Sequence, residues 1–252
     1  MTTYEKYHSL KVQFVQVLAK LLIFDEWNNK LLADAEKECG FVKGYCHIIF
    51  PNGLREIVDF FESWQDQKML ELLSQQETPA KIRDKIDLAL KVRIKNCTPK
   101  LVYSNDLENG DNKQGVNGLG VHEVREYANT PQVFAKTNSS KQKSIHLKNR
   151  TYFTTPSNTL FATKIAFRTC DLIWRYAGDT SIDHNYYTKR SLLFSVYISS
   201  ILYYIQDESE NNIDTDKYIT KSLSSIITMF SKCKNIFKLP NPVDIPIIRL
   251  FL

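Results

Sequence analysis

The chain has little of what builds cross-linked or catalytic folds. Its five cysteines (Cys39, Cys46, Cys97, Cys170, Cys233) are odd in number and scattered, with no CxxC pair and no metal-finger spacing. Neither a disulfide framework nor a zinc module is written in them, and a reducing compartment is the default. Glycine is sparse, and the four glycines from Gly110 to Gly120 match no strand-loop-helix phosphate fingerprint. His184 stands beside Asp183 without a Ser or Cys nucleophile motif or a Glu-x-x-His ligand pair. His47 lies near Cys46 and Cys39, but no third and fourth ligands stand at suitable spacing, and a packed histidine is the expectation. No catalytic residue, metal or cofactor is therefore expected, and the chain is read as no enzyme. No apolar run approaches the roughly 18 residues of a spanning helix. The opening MTTYEKYHSLKVQF carries Glu5 and no Arg, and reads as neither secretory signal nor transit peptide.

What is present is helical periodicity. With 43% apolar residues in 252, a real core is available. Leu10, Phe14, Val17, Leu18, Leu21 and Leu22 form one helical stripe. Asn28 opens a second helix that Gly40 ends, and YCHIIF follows before the break at Pro51-Asn52-Gly53. Two short helices behind a longer one read as a helix-turn-helix unit, residues 1–76. Its second helix, Lys43 to Phe50, has one cation and no Arg, Asn or Gln for base contacts. Leu54 to Leu73 and a helix after Pro79, with Ile82, Ile86, Ala89 and Leu90 on one side, continue the pattern.

Periodicity stops between about Asn96 and Arg150, and residues 97–150 are expected to be a disordered insertion in a helical body spanning 77–235. Order returns at Pro156-Ser157-Asn158, a start and cap for a helix ending at Gly178. The next helix, Tyr186 to Gln206, is apolar around most of its circumference and is expected to be buried on several sides. Asp214 or Thr215 caps a last helix running to Cys233. Residues 236–252 form a basic and apolar tail in which Pro240, Pro242 and Pro246 forbid a continuous helix. Charge follows these divisions: residues 1–95 balance at 14 basic and 14 acidic, whereas 217–252 hold 6 and 1. The neutral first part is a poor footprint for DNA, and the basic end suits anionic lipid.

One stretch stands apart. Asp171 to Arg190, DLIWRYAGDTSIDHNYYTKR, mixes Trp174, Tyr176, Tyr186 and Tyr187 with both signs of charge, a composition suited to recognition. Within it, Ala177, Gly178, Asp179, Ser181, Asp183, Asn185, Tyr187, Thr188, Lys189 and Arg190 follow the signature of the coenzyme Q accessory-protein family, the lipid-binding proteins of ubiquinone biosynthesis. The chain resembles that family strongly over 158–210 and weakly over 10–95. Tyr186 stands where many members have Trp.

The resemblance implies an all-α, TetR-like bundle put to lipid binding, with a helix-turn-helix-like unit and a larger lipid-binding body. It implies a non-catalytic protein that takes up an isoprenoid quinone intermediate or phospholipid and presents it to the di-iron demethoxyubiquinone hydroxylase. Ile165, Leu172, Phe194, Tyr197, Ile201 and Leu202 are the candidate lipid wall. Asp179, Asp183, Asn185, Tyr186, Tyr187, Lys189 and Arg190 are the candidate partner face, though each charge also reads as a capping or salt-bridge residue. The expected setting is the inner-membrane surface, cytoplasmic in a bacterium or on the matrix side in a eukaryote, as a homodimer. The competing class is a TetR-type DNA-binding regulator.

Overall fold

The computed structural model describes residues 3–95, 131–182 and 184–233, and every regular element among them is helical. In chain order they are α1 (Thr3–Leu21), α2 (Asn29–Glu38), α3 (Tyr45–Ile49), α4 (Leu54–Ser74), α5 (Ile82–Lys95), α6 (Pro131–Phe153), α7 (Thr159–Tyr176), α8 (His184–Gln206) and α9 (Ile213–Cys233). Single 3-10 turns at Pro156–Asn158 and Glu210–Asn212 precede α7 and α9.

Two helix ends follow directly from local chemistry. Asn28 is extended, and its side-chain oxygen accepts from the Leu31 amide at 2.9 Å, satisfying one of the unpaired donors at the start of α2. α7 stops because Gly178 takes φ 92, which lets the Asp179 amide reach the Trp174 carbonyl and the Gly178 amide reach that of Arg175, both at 3.0 Å. Other ends are held from a distance. The Glu36 carboxylate of α2 accepts from the Gly44 and Cys46 amides at 3.0 and 2.7 Å, closing the start of α3. Burial alone would raise the Glu36 carboxyl, but the Cys46 and Gly44 hydrogen bonds outweigh it and hold it below the usual range.

The expected caps of α7 and α9 are corrected. Asn158 makes no capping bond and instead donates its amide to the Tyr152 carbonyl at 3.1 Å. The start of α9 is capped by neither Asp214 nor Thr215. The Ser209 hydroxyl accepts from the Asp214 amide, and the Asp207 carboxylate accepts from the Thr215 amide at 2.9 Å.

The apolar side chains gather in two clusters. One joins α1 to α4 around Phe14, Leu18, Leu31, Phe50 and Phe61. The other joins the end of α4 to α5, α7, α8 and α9 around Met69, Leu90, Ile173, Tyr197 and Ile219. The expected insertion is corrected here: α6 occupies 131–153, and Ile145 is fully buried in the first cluster. Residues 97–130 of that expectation lie outside the described residues, as do 236–252. His47 also departs from its expected packing, since α3 buries Cys46 and Ile49 and turns His47 outward.

Between the clusters runs a seam of buried polar groups. Arg93, with no exposed surface, donates to Asp66 at 2.8 Å, to Glu62 at 2.6 Å and to Gln65 at 2.5 Å. Thr169 of α7 donates to Asp66, Asn149 of α6 to Glu62, and the Trp27 indole to Asn149. Burial raises the Glu62 carboxyl above its ordinary range, although Arg93 pulls in the opposite direction. Breaking one member of such a seam strands its partners away from water, so it locks the α1–α4 unit to the body in one register.

Candidate functional site

The recognition stretch forms the hairpin between α7 and α8. Gly178 ends α7, and Asp179 then becomes the hub of the connection. Its carboxylate accepts from the Ser181 hydroxyl at 2.8 Å, from Lys189 at 2.6 Å and from Arg190 at 2.9 Å. Burial pushes this carboxyl up, but the Lys189, Ser181 and Arg190 bonds prevail and bring it down to about 2. Arg190, 1% exposed, also donates Nε to Asp171 at 2.6 Å and stacks its guanidinium over Tyr186 at 3.5 Å from the ring centre. The Trp174 indole donates to the Lys189 carbonyl at 3.1 Å, and the Lys189 ammonium lies over the same ring.

The candidate partner residues therefore divide. Asp179 and Arg190 are spent on internal pairs that set the angle between the helices. Tyr187, 41% exposed, and the partly exposed Lys189 and Tyr186 form the outward part, with the two tyrosine rings edge to face at 5.0 Å. Asp183 and the side chains of His184 and Asn185 lie outside the described residues. Ile182 was not among the candidates, yet it stands 96% exposed on the connection. The only signal for it is a lone isoleucine in a polar loop.

The candidate lipid wall is only partly assembled. Tyr197 and Ile165 are buried, and Leu172, Phe194 and Ile201 pack partly buried against the second cluster. Leu202 faces outward at 40% exposure. The expectation that this helix is buried on several sides holds, and one face is left open. α5, α6, α7 and α9 cover α8, while Tyr187, Ile198 and Leu202 share an outer face with Ser191 and Ser195. A shallow groove of about 460 Å³ opens elsewhere, between α5 and α9, lined by Lys91, Lys217, Thr220, Lys221 and Ser224. None of these is a wall candidate.

Among the described residues no three His, Cys, Asp or Glu are grouped to hold a metal, and no helix is long and apolar enough to cross a membrane. Burial pushes the Cys46 thiol up to about 12 and the Cys170 thiol further still, which disfavours the thiolate in both.

The α7–α9 region is also what known proteins share with this chain. Residues 160–229 match the family model described as COQ9. This segment resembles the COQ9 family. Ubiquinone biosynthesis protein COQ9, mitochondrial, of Xenopus tropicalis is 35% identical over 81 residues, 32% of this chain and 26% of that protein. The proteins of the same name from Bos taurus and Homo sapiens are 35% and 33% identical over 66 residues, 26% of this chain and 21% of theirs. The matched stretch thus spans only 21–26% of those relatives. Within the segment that matches the COQ9 model lie all six wall candidates on α7 and α8, the Asp179 hub, and the outward Tyr187 together.

Proposed function

We propose that this protein serves ubiquinone biosynthesis as a non-catalytic lipid carrier. It binds an isoprenoid quinone intermediate between α7 and α8 and presents the head group to the demethoxyubiquinone hydroxylase at the inner membrane. The observation that carries this reading is the COQ9-family segment itself, in which an apolar helix pair is joined by a hairpin held rigid by Asp179, Lys189 and Arg190. Rigid pairing inside and exposed tyrosines outside suit a docking surface, where ordered aromatic groups lose little freedom on binding. Ile165, Leu172, Phe194, Tyr197 and Ile201 supply an apolar lining that a polyisoprenoid tail enters by parting the helices. Each buried methylene of such a tail is worth about 0.8 kcal/mol, so a long chain offsets the cost of opening.

Native mass spectrometry of the protein purified in mild detergent, followed by organic extraction, tests the reading. A co-purifying isoprenoid lipid is the expected result. Protein that repeatedly emerges free of lipid, and takes up none from isoprenoid-containing micelles, refutes it.

A further inference from the structure

α3 is the helix that a DNA-reading arrangement of α1 to α3 would turn toward the bases, and its open side has the wrong chemistry for that task. The turn before it is closed by the Tyr45 amide on the Val42 carbonyl at 3.0 Å, with Gly44 at φ 84 where only glycine sits without strain. This sets Val42 beside the first residue of α3, and Ile48 lies one helical turn further on. Cys46, Ile49 and Phe50 take the buried side. The open side carries Val42 at 79% exposure and Ile48 at 65%, with exposed Lys43 and His47 between them in sequence. Tyr7 of α1 places its hydroxyl 2.7 Å from the Ile49 carbonyl and 3.2 Å from that of Ile48, which brings its partly open ring to the far end of α3. Val42, Ile48 and Tyr7 therefore follow α3 from its entry to its exit.

The carboxylates that reach α3 and its flanking turns are already committed. Glu36 accepts from the Gly44 and Cys46 amides, and Glu56 accepts from Lys11 at 2.9 Å and from the Asn52 amide at 3.0 Å. The exposed acids Glu5 and Glu38 each stand next to a lysine in sequence, Lys6 and Lys37. Lys43, joined by His47 when that ring is protonated, is therefore the excess charge of the open side. We propose that this side of α3 is a docking surface for an acidic, apolar segment of a partner protein, whose apolar side chains cover Val42, Ile48 and Tyr7 while its carboxylates meet Lys43 and His47. Two physical arguments select this occupant. Apolar side chains of a protein remove Val42 and Ile48 from water, which a phosphate backbone does not. Duplex DNA demands several uncompensated cations, and residues 1–95 balance at 14 basic and 14 acidic, whereas a short acidic segment is steered by the local excess at Lys43. The surface lies on a different part of the chain from the α7–α8 hairpin and does not depend on the carrier reading.

The test is panning of a phage-displayed library of random peptides on the full chain, with each enriched sequence then synthesised and titrated by fluorescence anisotropy. Enriched peptides are expected to combine Asp or Glu with Leu, Phe or Trp. The double variant Val42→Ser with Ile48→Ser is expected to bind them about tenfold more weakly. Lys43→Glu is expected to weaken them about tenfold as well and to remove the salt dependence that wild type shows. Leu160→Ser, exposed on α7, serves as the control and behaves as wild type. All of these positions are exposed, so an unchanged melting temperature certifies the folds. Panning that enriches no sequence over uncoated beads overturns the proposal, as do enriched peptides that bind the double variant as tightly as wild type. Retention of duplex DNA at moderate salt that Lys43→Glu abolishes overturns it too, and assigns α3 to nucleic acid.

Discussion

Asn149 donates its side-chain amide to Glu62 across 2.6 Å, tying a helix that carries no clear apolar stripe to the middle of α4. The same Asn149 accepts from the Trp27 indole at 2.8 Å, so one amide serves two buried groups from the first half of the chain. α6 is in this way a structural strut, and its partners are polar.

Asn149→Leu leaves both the Trp27 donor and the Glu62 carboxylate without their partner in a buried seam. A loss of about 2–3 kcal/mol is expected in denaturant unfolding. An unchanged midpoint and slope would show that water replaces the amide and that α6 is not needed to close the seam.

His146 sets a pH dependence. Its ring is buried and held neutral, with burial the main cause and Arg93 adding to it, and its pKa falls to about 4. The unfolded chain takes up this proton near 6.5, so stability is complete above that value and is lost as pH falls toward 4. The expected loss between those limits is roughly 2–3 kcal/mol. His146→Gln should flatten stability across that window in thermal melts, and a variant with the same slope as wild type would assign the dependence to other groups.

Asp207 and Asp179 act in a lower window. Burial alone would push both up, but hydrogen bonds from Ser209 and Thr215 in one case, and from Lys189, Ser181 and Arg190 in the other, bring each carboxyl to about 2. Folded values below the ordinary 3.8 mean that the stabilisation is present above that pH and fades as pH falls through 2. Asp207→Asn, which also weakens the α9 cap, is expected to cost about 1–2 kcal/mol at neutral pH and less in acid. Equal cost at both pH values would contradict the charged cap.

In the hairpin, Arg190 is buried in ion pairs while Tyr187 is exposed. Arg190→Lys loses the fork that joins Asp171 to Asp179 and is expected to lower stability by about 1–3 kcal/mol. Tyr187→Ala is expected to leave the melting temperature within a degree or so, since exposed positions contribute little, while weakening capture of the purified hydroxylase. Capture undiminished by Tyr187→Ala would remove this residue from the docking surface.

Some elements were legible because their signals are local. Asn28 and Gly40 bracket α2, and Gly178 ends α7, by chemistry confined to a few neighbouring residues. α6 was not legible, because the positions it buries include Gln142, His146 and Asn149, which a search for apolar periodicity scores as surface. The α9 cap was missed for a related reason: Asp207 reaches Thr215 eight residues along the chain, across a 3-10 turn whose geometry no spacing rule anticipates. In the hairpin, composition pointed to Asp179, Lys189 and Arg190 as a group, but their inward aim depends on how α7 meets α8.

By itself, the sequence determined that the described chain is helical, where several helices stop, and that 160–229 resembles the COQ9 family, because helix period, capping and motif are short-range properties of covalent neighbours. Only the tertiary structure decided that Arg190 is buried while Ile182 is bare, that Leu202 faces outward, and that α6 bridges the two cores. Those outcomes depend on which surfaces the helices exclude from water when they meet, and a side chain's burial is a property of its neighbours in space.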